Sequence, residues 1–225
     1  FMARVRGEFP QESSEGLFRL AWLDEAVRRW VAGEEPDDEA EEMPASPVVL
    51  AVDVGRHGPD ESVCAVLRGP RLERFETWQG ADLMESVDRV RRLIGAEEEA
   101  SGKAPHVVVD EVGVGGGVLD RLRELGYKAT GYNGGRKARD SERYLNRRAE
   151  DFWHLRQQLE AGALAIPPDE TLRGEMVALS WTPTGAGQVQ IMSKIELRGL
   201  IGRSPDRLDS LCMAVACLLY TSPSP

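Results

Sequence analysis

The chain has 225 residues, 41% of them hydrophobic and 29% charged, which is enough for one sizeable core with an appendage. It contains no apolar run approaching the roughly 18 residues of a membrane span and no signal-sequence pattern, so we expect a soluble globular protein. Three cysteines without a CxxC or Cys/His cluster indicate neither a disulfide framework nor a zinc site, and the formal charge of −10 would argue against a nucleic-acid partner if it were evenly spread.

The acidic charge is concentrated at the start of the chain. Residues 1–47 hold 12 acidic and 5 basic residues, whereas the rest of the chain is nearly balanced at 26 against 23. The run GEEPDDEAEEMPASP has no apolar periodicity and is typical of a linker, and a short amphipathic helix with Trp22 and Trp30 precedes it. We therefore expect a linker region over 1–47, a folded domain over 48–220 and a tail over 221–225.

Apolar periodicity and turn residues predict the elements in chain order. Three strands come first, joined by Gly-Pro turns, and form a meander. Helices then alternate with strands, and a β-hairpin and a terminal helix follow. This order predicts an α/β fold with a mixed sheet covered by helices. The predicted spans are 48–55, 62–69 and 71–79 for the meander, 82–95, 106–113, 118–126, 127–133, 143–161 and 169–179 for the alternating part, and 180–192 and 204–220 for the hairpin and the last helix.

Two aspartates lie near the ends of apolar strands, where a buried charge needs a partner. Asp53 follows VVLAV, and Asp110 follows HVVV. An unpaired ionised carboxylate in a core costs several kcal/mol, so each is protonated, paired or bound to a cation. Ser204 is a natural N-cap that places Asp206 in the first turn of the terminal helix, with Asp209 on an otherwise apolar stretch. Asp53 could instead cap a turn, and Asp206 could simply interact with the helix dipole.

Three carboxylates gathered from two strands and a late helix are what a hard divalent cation requires. Mg²⁺ prefers oxygen ligands in near-octahedral geometry. A pair of such ions about 4 Å apart can clamp the attacking and leaving oxygens of a phosphodiester. Asp53, Asp110 and Asp209 therefore point to phosphoryl transfer to water.

A basic stretch, GGRKARDSERYLNRR (134–148), interrupts the acidic background. It holds six basic and two acidic residues, a local net charge of +4. The run fits a solvated loop and helix face, or a surface that contacts DNA phosphates without reading sequence. The candidate DNA-binding residues are Arg136, Lys137, Arg139, Arg143, Arg147 and Arg148.

Four stretches stand out along the chain: VVLAVDVGRHGPDESVCAVL (48–67), HVVVDEVGVGGGVLDRLRELG (106–126), LNRRAEDFWHLRQQL (145–159) and GLIGRSPDRLDSLCMAVA (199–216). In this order they resemble the successive motifs of the nuclease domain of large terminase subunits of tailed bacteriophages. The resemblance implies a ribonuclease H-like fold, in which an antiparallel three-strand meander and parallel strands form a mixed sheet with helices on both faces and an added hairpin. It implies that Asp53, Asp110 and Asp209 bind two Mg²⁺ or Mn²⁺ ions, with Asp206 as an additional ligand.

The same resemblance implies a function in viral genome packaging. The expected activity is that of a metal-dependent endonuclease that cuts concatemeric double-stranded DNA with little sequence preference. The chain contains no GxxxxGK[ST] phosphate loop, so we expect an ATPase domain elsewhere in the same polypeptide. Residues 1–47 would then be partly a remnant of the connection, and the helix with Trp22 and Trp30 would pack on that domain. The implied partners are the portal and the small terminase subunit, in the host-cell cytoplasm and without a membrane.

Lys194 and His57 are auxiliary candidates. Lys194, at the end of the hairpin, could steady the charge of the scissile phosphate or could be an ordinary surface lysine. His57, close after Asp53, could contact the leaving group or could lie in an exposed turn. The segment GVGGG (113–117) lacks the GxGxxG register of dinucleotide sites and fits a tight turn that starts a helix near the metal site.

Two functions of other classes stay open at this point. The segment DVGRHGPDESV (53–63) also resembles the phosphate-binding hairpin of actin-like and sugar-kinase ATPases, which would make the chain a nucleotide-binding module. Alternatively, the chain is a DNA-docking domain whose nuclease is silent until partners hold the substrate. Its overall acidity makes weak autonomous DNA binding credible.

Overall fold

The computed structural model of the protein describes residues 16–34, 47–55 and 61–221. Its centre is a five-stranded sheet in the order β3-β2-β1-β4-β5. The first three strands pair antiparallel, and β4 and β5 continue the sheet in parallel, which confirms the predicted mixed sheet with its meander. The strands are β1 (Val48–Asp53), β2 (Ser62–Arg68), β3 (Arg71–Trp78), β4 (His106–Asp110) and β5 (Ala129–Tyr132).

Helices cover both faces of this sheet, and a two-stranded hairpin stands beside it. Within the described ranges none of the helices is long and apolar enough to cross a membrane. The helices are α1 (Leu20–Ala32), α2 (Leu83–Ser101), α3 (Val114–Glu124), α4 (Arg147–Glu160), α5 (Glu170–Ala178), α6 (Lys194–Ile201) and α7 (Asp206–Thr221), and the hairpin consists of β6 (Trp181–Pro183) and β7 (Val189–Ile191).

The alternation of side chains along β1 divides the interior into two apolar layers. Val49 and Ala51 face a layer shared with α1, α4, α5 and α7, whereas Leu50 and Val52 face a layer shared with α2 and α3. All six residues of β1 are buried, because successive side chains point to opposite, helix-covered faces. The continuous apolar run that ends in Asp53 is therefore the central strand of the sheet.

The helix boundaries differ from the sequence prediction in two places on the α2–α3 side. We predicted that α2 ends at Gly95, but it continues to Ser101, because Glu97 on its last turns is buried and pairs with Arg68 at 2.8 Å and Arg74 at 3.0 Å. Those contacts outweigh the cost of about 1 kcal/mol for a glycine inside a helix. Helix α3 begins at Val114, four residues before the predicted start.

The early start of α3 depends on the glycines of GVGGG. Gly113 precedes the helix with φ +74°, a conformation that favours glycine. A Cβ at Gly115 would lie 2.0 Å from the main-chain oxygen of Asp110, so only glycine permits this approach of α3 to the end of β4. The segment thus forms a tight turn into a helix beside Asp110.

Helix α1 packs on the core of the domain described here. Its Leu23 and Ala26 are buried in the layer that contains α4, and the Trp30 indole donates to the main-chain oxygen of Leu72 at 2.8 Å. The guanidinium of Arg71 lies 4.7 Å from the Trp30 ring. We predicted that this helix packs on an ATPase domain, but its apolar face is used within this chain.

Candidate functional site

Two aspartates end neighbouring parallel strands at the same edge of the sheet. Val52 of β1 is the register partner of Val109 of β4, so Asp53 and Asp110, the next residues, emerge side by side. Asp53 is 6% exposed and Asp110 is half-buried. The Asp110 Oδ1 atom accepts a hydrogen bond from the main-chain N–H of Val112 at 3.0 Å, which orients this carboxylate.

The first turns of α7 bring two more aspartates to that edge. Asp206 begins the helix, and Asp209 follows one turn later. The hydroxyl of Ser204 donates to Asp206, and the main-chain N–H of Asp209 bonds to the oxygen of Pro205 at 3.0 Å. Asp206 therefore lies in the first turn of this helix, as predicted, whereas among the described residues the Ser204 hydroxyl bonds to the Asp206 side chain and not, as an N-cap would, to a main-chain N–H.

A buried hydroxyl fixes α7 against the sheet. Ser210 Oγ donates to the oxygen of Ala51 at 2.6 Å and accepts from the N–H of Ala65 at 2.9 Å. Since Ala51 and Ala65 are register partners on β1 and β2, the hydroxyl bridges the two strands next to Asp209. On the other side of α7, buried Glu175 of α5 accepts from the N–H of Leu208 at 2.7 Å. Sequence reasoning missed Ser210 and Glu175; Ser210 is a polar residue within an apolar helical stretch, which is a usable signal, whereas the mixed sequence around Glu175 gives none.

The ammonium of Lys194 lies at the centre of these carboxylates. Its Nζ atom is 2.9 Å from Asp53 Oδ2, 3.0 Å from Asp209 Oδ2 and 3.2 Å from Asp206 Oδ1. Lys194 is the first residue of α6, a helix that the sequence analysis did not predict and that a capping box of Ser193 and Glu196 starts. The structure therefore brings Lys194 together with three of the four predicted aspartates.

Burial and mutual repulsion shift the protonation of these groups. Burial raises the pKa of Asp53 to about 7, with Lys194 opposing the shift and Asp209 and Asp206 adding to it. Burial also raises the pKa of Asp110 and of Asp206 above the ordinary range. Burial lowers the pKa of Lys194, but the three carboxylates more than compensate and raise it, so this lysine is a firm cation.

The donor set suits a hard cation, and in this structure an ammonium takes that position. Among the described residues, no group of three or more His, Cys, Asp or Glu side chains stands in an arrangement that could hold a metal ion as it is. Lys194 fills the point where Asp53, Asp206 and Asp209 converge. Oxygen ligands of this kind are those that Mg²⁺ and Mn²⁺ prefer. The residues fit such an ion on the condition that Lys194 withdraws.

The predicted basic stretch is divided between the site and the surface. Arg148 enters the site, where its guanidinium lies 3.4 Å from Asp209 Oδ1, donates to the oxygen of Met192 at 2.8 Å and stacks on Phe152 at 4.4 Å. Arg147 pairs with buried Asp151 at 3.2 Å. Neither arginine is an exposed phosphate contact in this state, because both side chains are held by partners within the domain.

The other four bases are exposed on the loop between β5 and α4. Arg136 pairs with Glu111 at 2.7 Å, and Arg143 lies 4.0 Å from Asp140, while Lys137 and Arg139 are exposed on the same loop. Buried Glu150 of α4 holds the loop by accepting from the N–H groups of Arg139 and Asp140 at 2.9 and 3.0 Å. The structure thus places a fixed basic loop beside the carboxylates. His57 lies outside the described residues.

A cleft of about 340 Å³ opens directly from the site. It begins at Asp110, Lys194 and Asp209 and extends between the basic loop, α4 and the hairpin. Most of its lining is apolar. The further lining residues are Val112, Tyr132, Gly134, Gly135, Leu145, Asn146, Arg148, Phe152, Gln190, Ile191, Ser193, Cys212 and Met213.

Comparison with known proteins identifies this architecture. No family model matches the sequence, and a search of curated proteins finds no match. Among solved structures, the nuclease domain of the large terminase subunit gp2 of bacterial virus Sf6 is 21% identical, with a TM-score of 0.72 over 93% of this chain and 100% of that one. The fold is that of a large terminase nuclease domain. The ribonuclease H-like fold class predicted from the sequence is confirmed.

Two further structures with the terminase nuclease fold carry metals. A lysine-to-alanine mutant of the Sf6 domain with manganese and β-thujaplicinol has a TM-score of 0.73 at 21% identity and covers 93% of this chain and 100% of that one. The large terminase nuclease from thermophilic phage G20c with bound magnesium has a TM-score of 0.60 at 22% identity and covers 91% and 98%. At these identities the comparison establishes the terminase nuclease fold, and the chemistry of this chain depends on its own residues.

Proposed function

We propose that this chain is the nuclease domain of a viral large terminase subunit and hydrolyses DNA phosphodiester bonds with bound divalent metal ions. One observation carries the proposal: within the terminase nuclease fold, Asp53, Asp206 and Asp209 converge on a single cation, with Asp110 at the end of the neighbouring strand. In keeping with the fold, the substrate would be concatemeric double-stranded DNA, cut with little sequence preference.

Asp53, Asp110, Asp206 and Asp209 would hold Mg²⁺ or Mn²⁺. When bound, such ions activate a water and stabilise the charge of the reacting phosphate. Formal charges favour more than one ion. Once Lys194 withdraws, four carboxylates and the Arg148 guanidinium sum to −3, which exceeds the charge of a single divalent ion, so we propose two ions.

The charged side chains around the carboxylates would divide the remaining work. Arg148 would orient Asp209, which it contacts at 3.4 Å, while it is held by the oxygen of Met192. Lys194, displaced from the carboxylates, would pair with the scissile phosphate, because its ammonium loses three anionic partners and the phosphate is a new anionic partner. The exposed loop bases would contact DNA phosphates without reading sequence; they are Arg136, Lys137, Arg139 and Arg143.

The wider setting of the domain is part of the same proposal. The partners would be double-stranded DNA, an ATPase domain of the same polypeptide, the portal and the small terminase subunit, in the host-cell cytoplasm. The region 1–47 would connect to the ATPase domain, with the described part of it, 16–34, anchored on the nuclease core through α1.

Plasmid cleavage tests the assignment. With Mg²⁺ or Mn²⁺, supercoiled plasmid is expected to become nicked and linear, and Asp53→Asn, Asp110→Asn and Asp209→Asn are expected to abolish this, because each removes a negatively charged ligand at nearly unchanged volume. Asp120→Asn is the matched control, since Asp120 is an exposed carboxylate on α3. Undiminished cutting by any of the first three variants would remove that residue from the site.

A second candidate is a DNA-docking domain whose nuclease is silent when the domain is alone. The position of Lys194 favours it, because three ion pairs hold the ammonium where a metal would bind. Salt-sensitive DNA binding without cleavage by the isolated chain, together with cleavage on addition of the ATPase domain, would establish it. The third possibility, an ATP-binding module, gains no such support. Residues 56–60 of the segment that resembles a phosphate-binding hairpin lie outside the described residues. Calorimetry with ATP is the direct test of this possibility.

A further inference from the structure

The cleft beside the carboxylates has an apolar character that a phosphate-binding surface does not need. Tyr132, Ile191 and Met213 contribute to its walls, and Val112 and Leu145 at its edge are 59% and 43% exposed. Single exposed apolar residues are ordinary on a protein surface. Two that line the same cleft, next to four carboxylates, indicate a ligand with a flat or apolar part.

The cleft and the proposed metal site share residues, so one ligand could occupy both. Asp110, Lys194 and Asp209 form the end of the cleft at which the carboxylates converge. If the scissile phosphate of a DNA strand lies at the carboxylates, a nucleotide bonded to that phosphate lies at the entrance of the cleft. The exposed basic loop borders the same cleft through Gly134 and Gly135, where no side chain narrows the approach.

We propose that this cleft accepts one unpaired nucleotide of the strand that is cut, which rests on the proposed nuclease function and extends it. The volume of about 340 Å³ is near the lower limit of roughly 300 Å³ for small-molecule sites, which suits a single base with its sugar and is too small for a base pair. Apolar walls with a few polar groups, here including Gln190 at the rim, are the usual environment of an extruded base. Local opening of the duplex is thus part of substrate recognition.

Fluorescence of 2-aminopurine tests the proposal directly. The full chain is mixed with a short duplex that carries 2-aminopurine at several positions, with Ca²⁺ in place of Mg²⁺ to slow hydrolysis. We expect the fluorescence to rise several-fold on binding, because the base leaves the stack. In a second assay with Mg²⁺, a duplex with one mismatch is expected to be cut about tenfold faster than the matched duplex, with the cuts next to the mismatch, since an unpaired base costs less to extrude.

A substitution that fills part of the cleft tests whether the cleft is where the base binds. Leu145→Trp adds bulk at the exposed edge of the cleft and is expected to abolish both the fluorescence rise and the preference for mismatched DNA. Met84→Trp is the control, because Met84 is equally exposed, at 47%, but lies on α2 and does not line the cleft. It is expected to behave as the unmodified chain.

The outcomes separate this inference from the proposed function. Cleavage of DNA without any fluorescence rise, or a Leu145→Trp variant that keeps the mismatch preference, overturns the inference and leaves the nuclease proposal standing. A chain that never cuts DNA in the presence of metal refutes the nuclease proposal, while the fluorescence rise and its loss in Leu145→Trp still decide whether the cleft takes a base.

Discussion

Replacing Lys194 by alanine separates its two expected effects, on stability and on metal affinity. Its ammonium lies within 3.2 Å of three carboxylates, of which Asp53 is nearly fully buried. Removal of one partner from a buried ion pair costs about 3–5 kcal/mol. The Lys194 side chain is 40% exposed, so solvent screening reduces this cost, and we expect a loss of about 1–3 kcal/mol without metal.

Metal ions are expected to reverse the effect of Lys194→Ala. Without the ammonium, Mg²⁺ no longer has to displace a cation, so the affinity of the site for Mg²⁺ rises. The carboxylates of the variant also lack a neutralising cation until Mg²⁺ binds, so the ion stabilises the variant more than the unmodified chain. At a free Mg²⁺ concentration 100 times the Kd, binding adds about 2.7 kcal/mol, which is comparable to the loss. For a chain of 225 residues, 1 kcal/mol corresponds to a Tm change of roughly 2–4 °C.

Thermal unfolding with and without Mg²⁺ measures both effects, and titration calorimetry gives the Kd. We expect a Tm several degrees below that of the unmodified chain in chelator, and a larger rise on addition of Mg²⁺. Lys128→Ala is the control, because Lys128 is exposed and lies away from the carboxylates. A Lys194→Ala variant that binds Mg²⁺ no more tightly than the unmodified chain would refute the idea that lysine and metal compete for one position.

Four further results are expected. Arg148→Ala should lower kcat about 10–100-fold with little change in KM, and Arg148→Lys should restore part of it if the role is to orient Asp209. Ser210→Ala should lower the free energy of unfolding in urea by about 1–3 kcal/mol, because the buried N–H of Ala65 loses its acceptor. Burial, opposed by an arginine, raises the pKa of Glu175 to about 7, so the folded state favours the protonated carboxyl. The stability that this protonated form contributes is lost as pH rises from about 4.5 to 7. The free energy of unfolding of the unmodified chain, relative to that of Glu175→Gln, should therefore fall by up to about 3 kcal/mol across that window. Amide hydrogens of α6 should exchange faster than those in the first two turns of α7, as measured by mass spectrometry.

The carboxylates were predictable from sequence because their signal is local. Asp53 and Asp110 each interrupt an apolar strand at its end, and Asp206 follows a Ser-Pro helix start. A charge at such a position needs a partner wherever the strand lies in the sheet, so pattern and physical chemistry together predict the group. The parallel pairing of β1 and β4 sets Val52 opposite Val109, and this register places the two strand-end aspartates side by side.

The cation at the centre was not predictable in the same way. Lys194 meets Asp53 across 141 positions of the chain, and a single lysine after a hairpin carries no sign of that contact. Helix α6 was missed because Leu197 is its only buried residue, while Ile195 and Leu200 are exposed, so no apolar period marks it. Arg148 was assigned to DNA by composition, since a run of bases does not distinguish side chains that point inward from those that point outward.

The expected contrast in hydrogen exchange follows from how unequally the two sides of the site are anchored. On the carboxylate side, α7 buries nearly every residue from Leu208 to Ala216, and the Ser210 hydroxyl joins it to two strands. On the cation side, α6 contributes one buried side chain and a capping box, and three ion pairs hold its first residue. Opening α6 therefore costs few apolar contacts, whereas opening α7 disrupts the central sheet. If the Lys194 ion pairs are the main tether of α6, Mg²⁺ should speed exchange in α6 while it slows exchange around Asp206 and Asp209. Equal protection of the two helices would refute the difference in anchoring. Slower exchange of α6 with metal would show that the lysine does not leave when the metal enters.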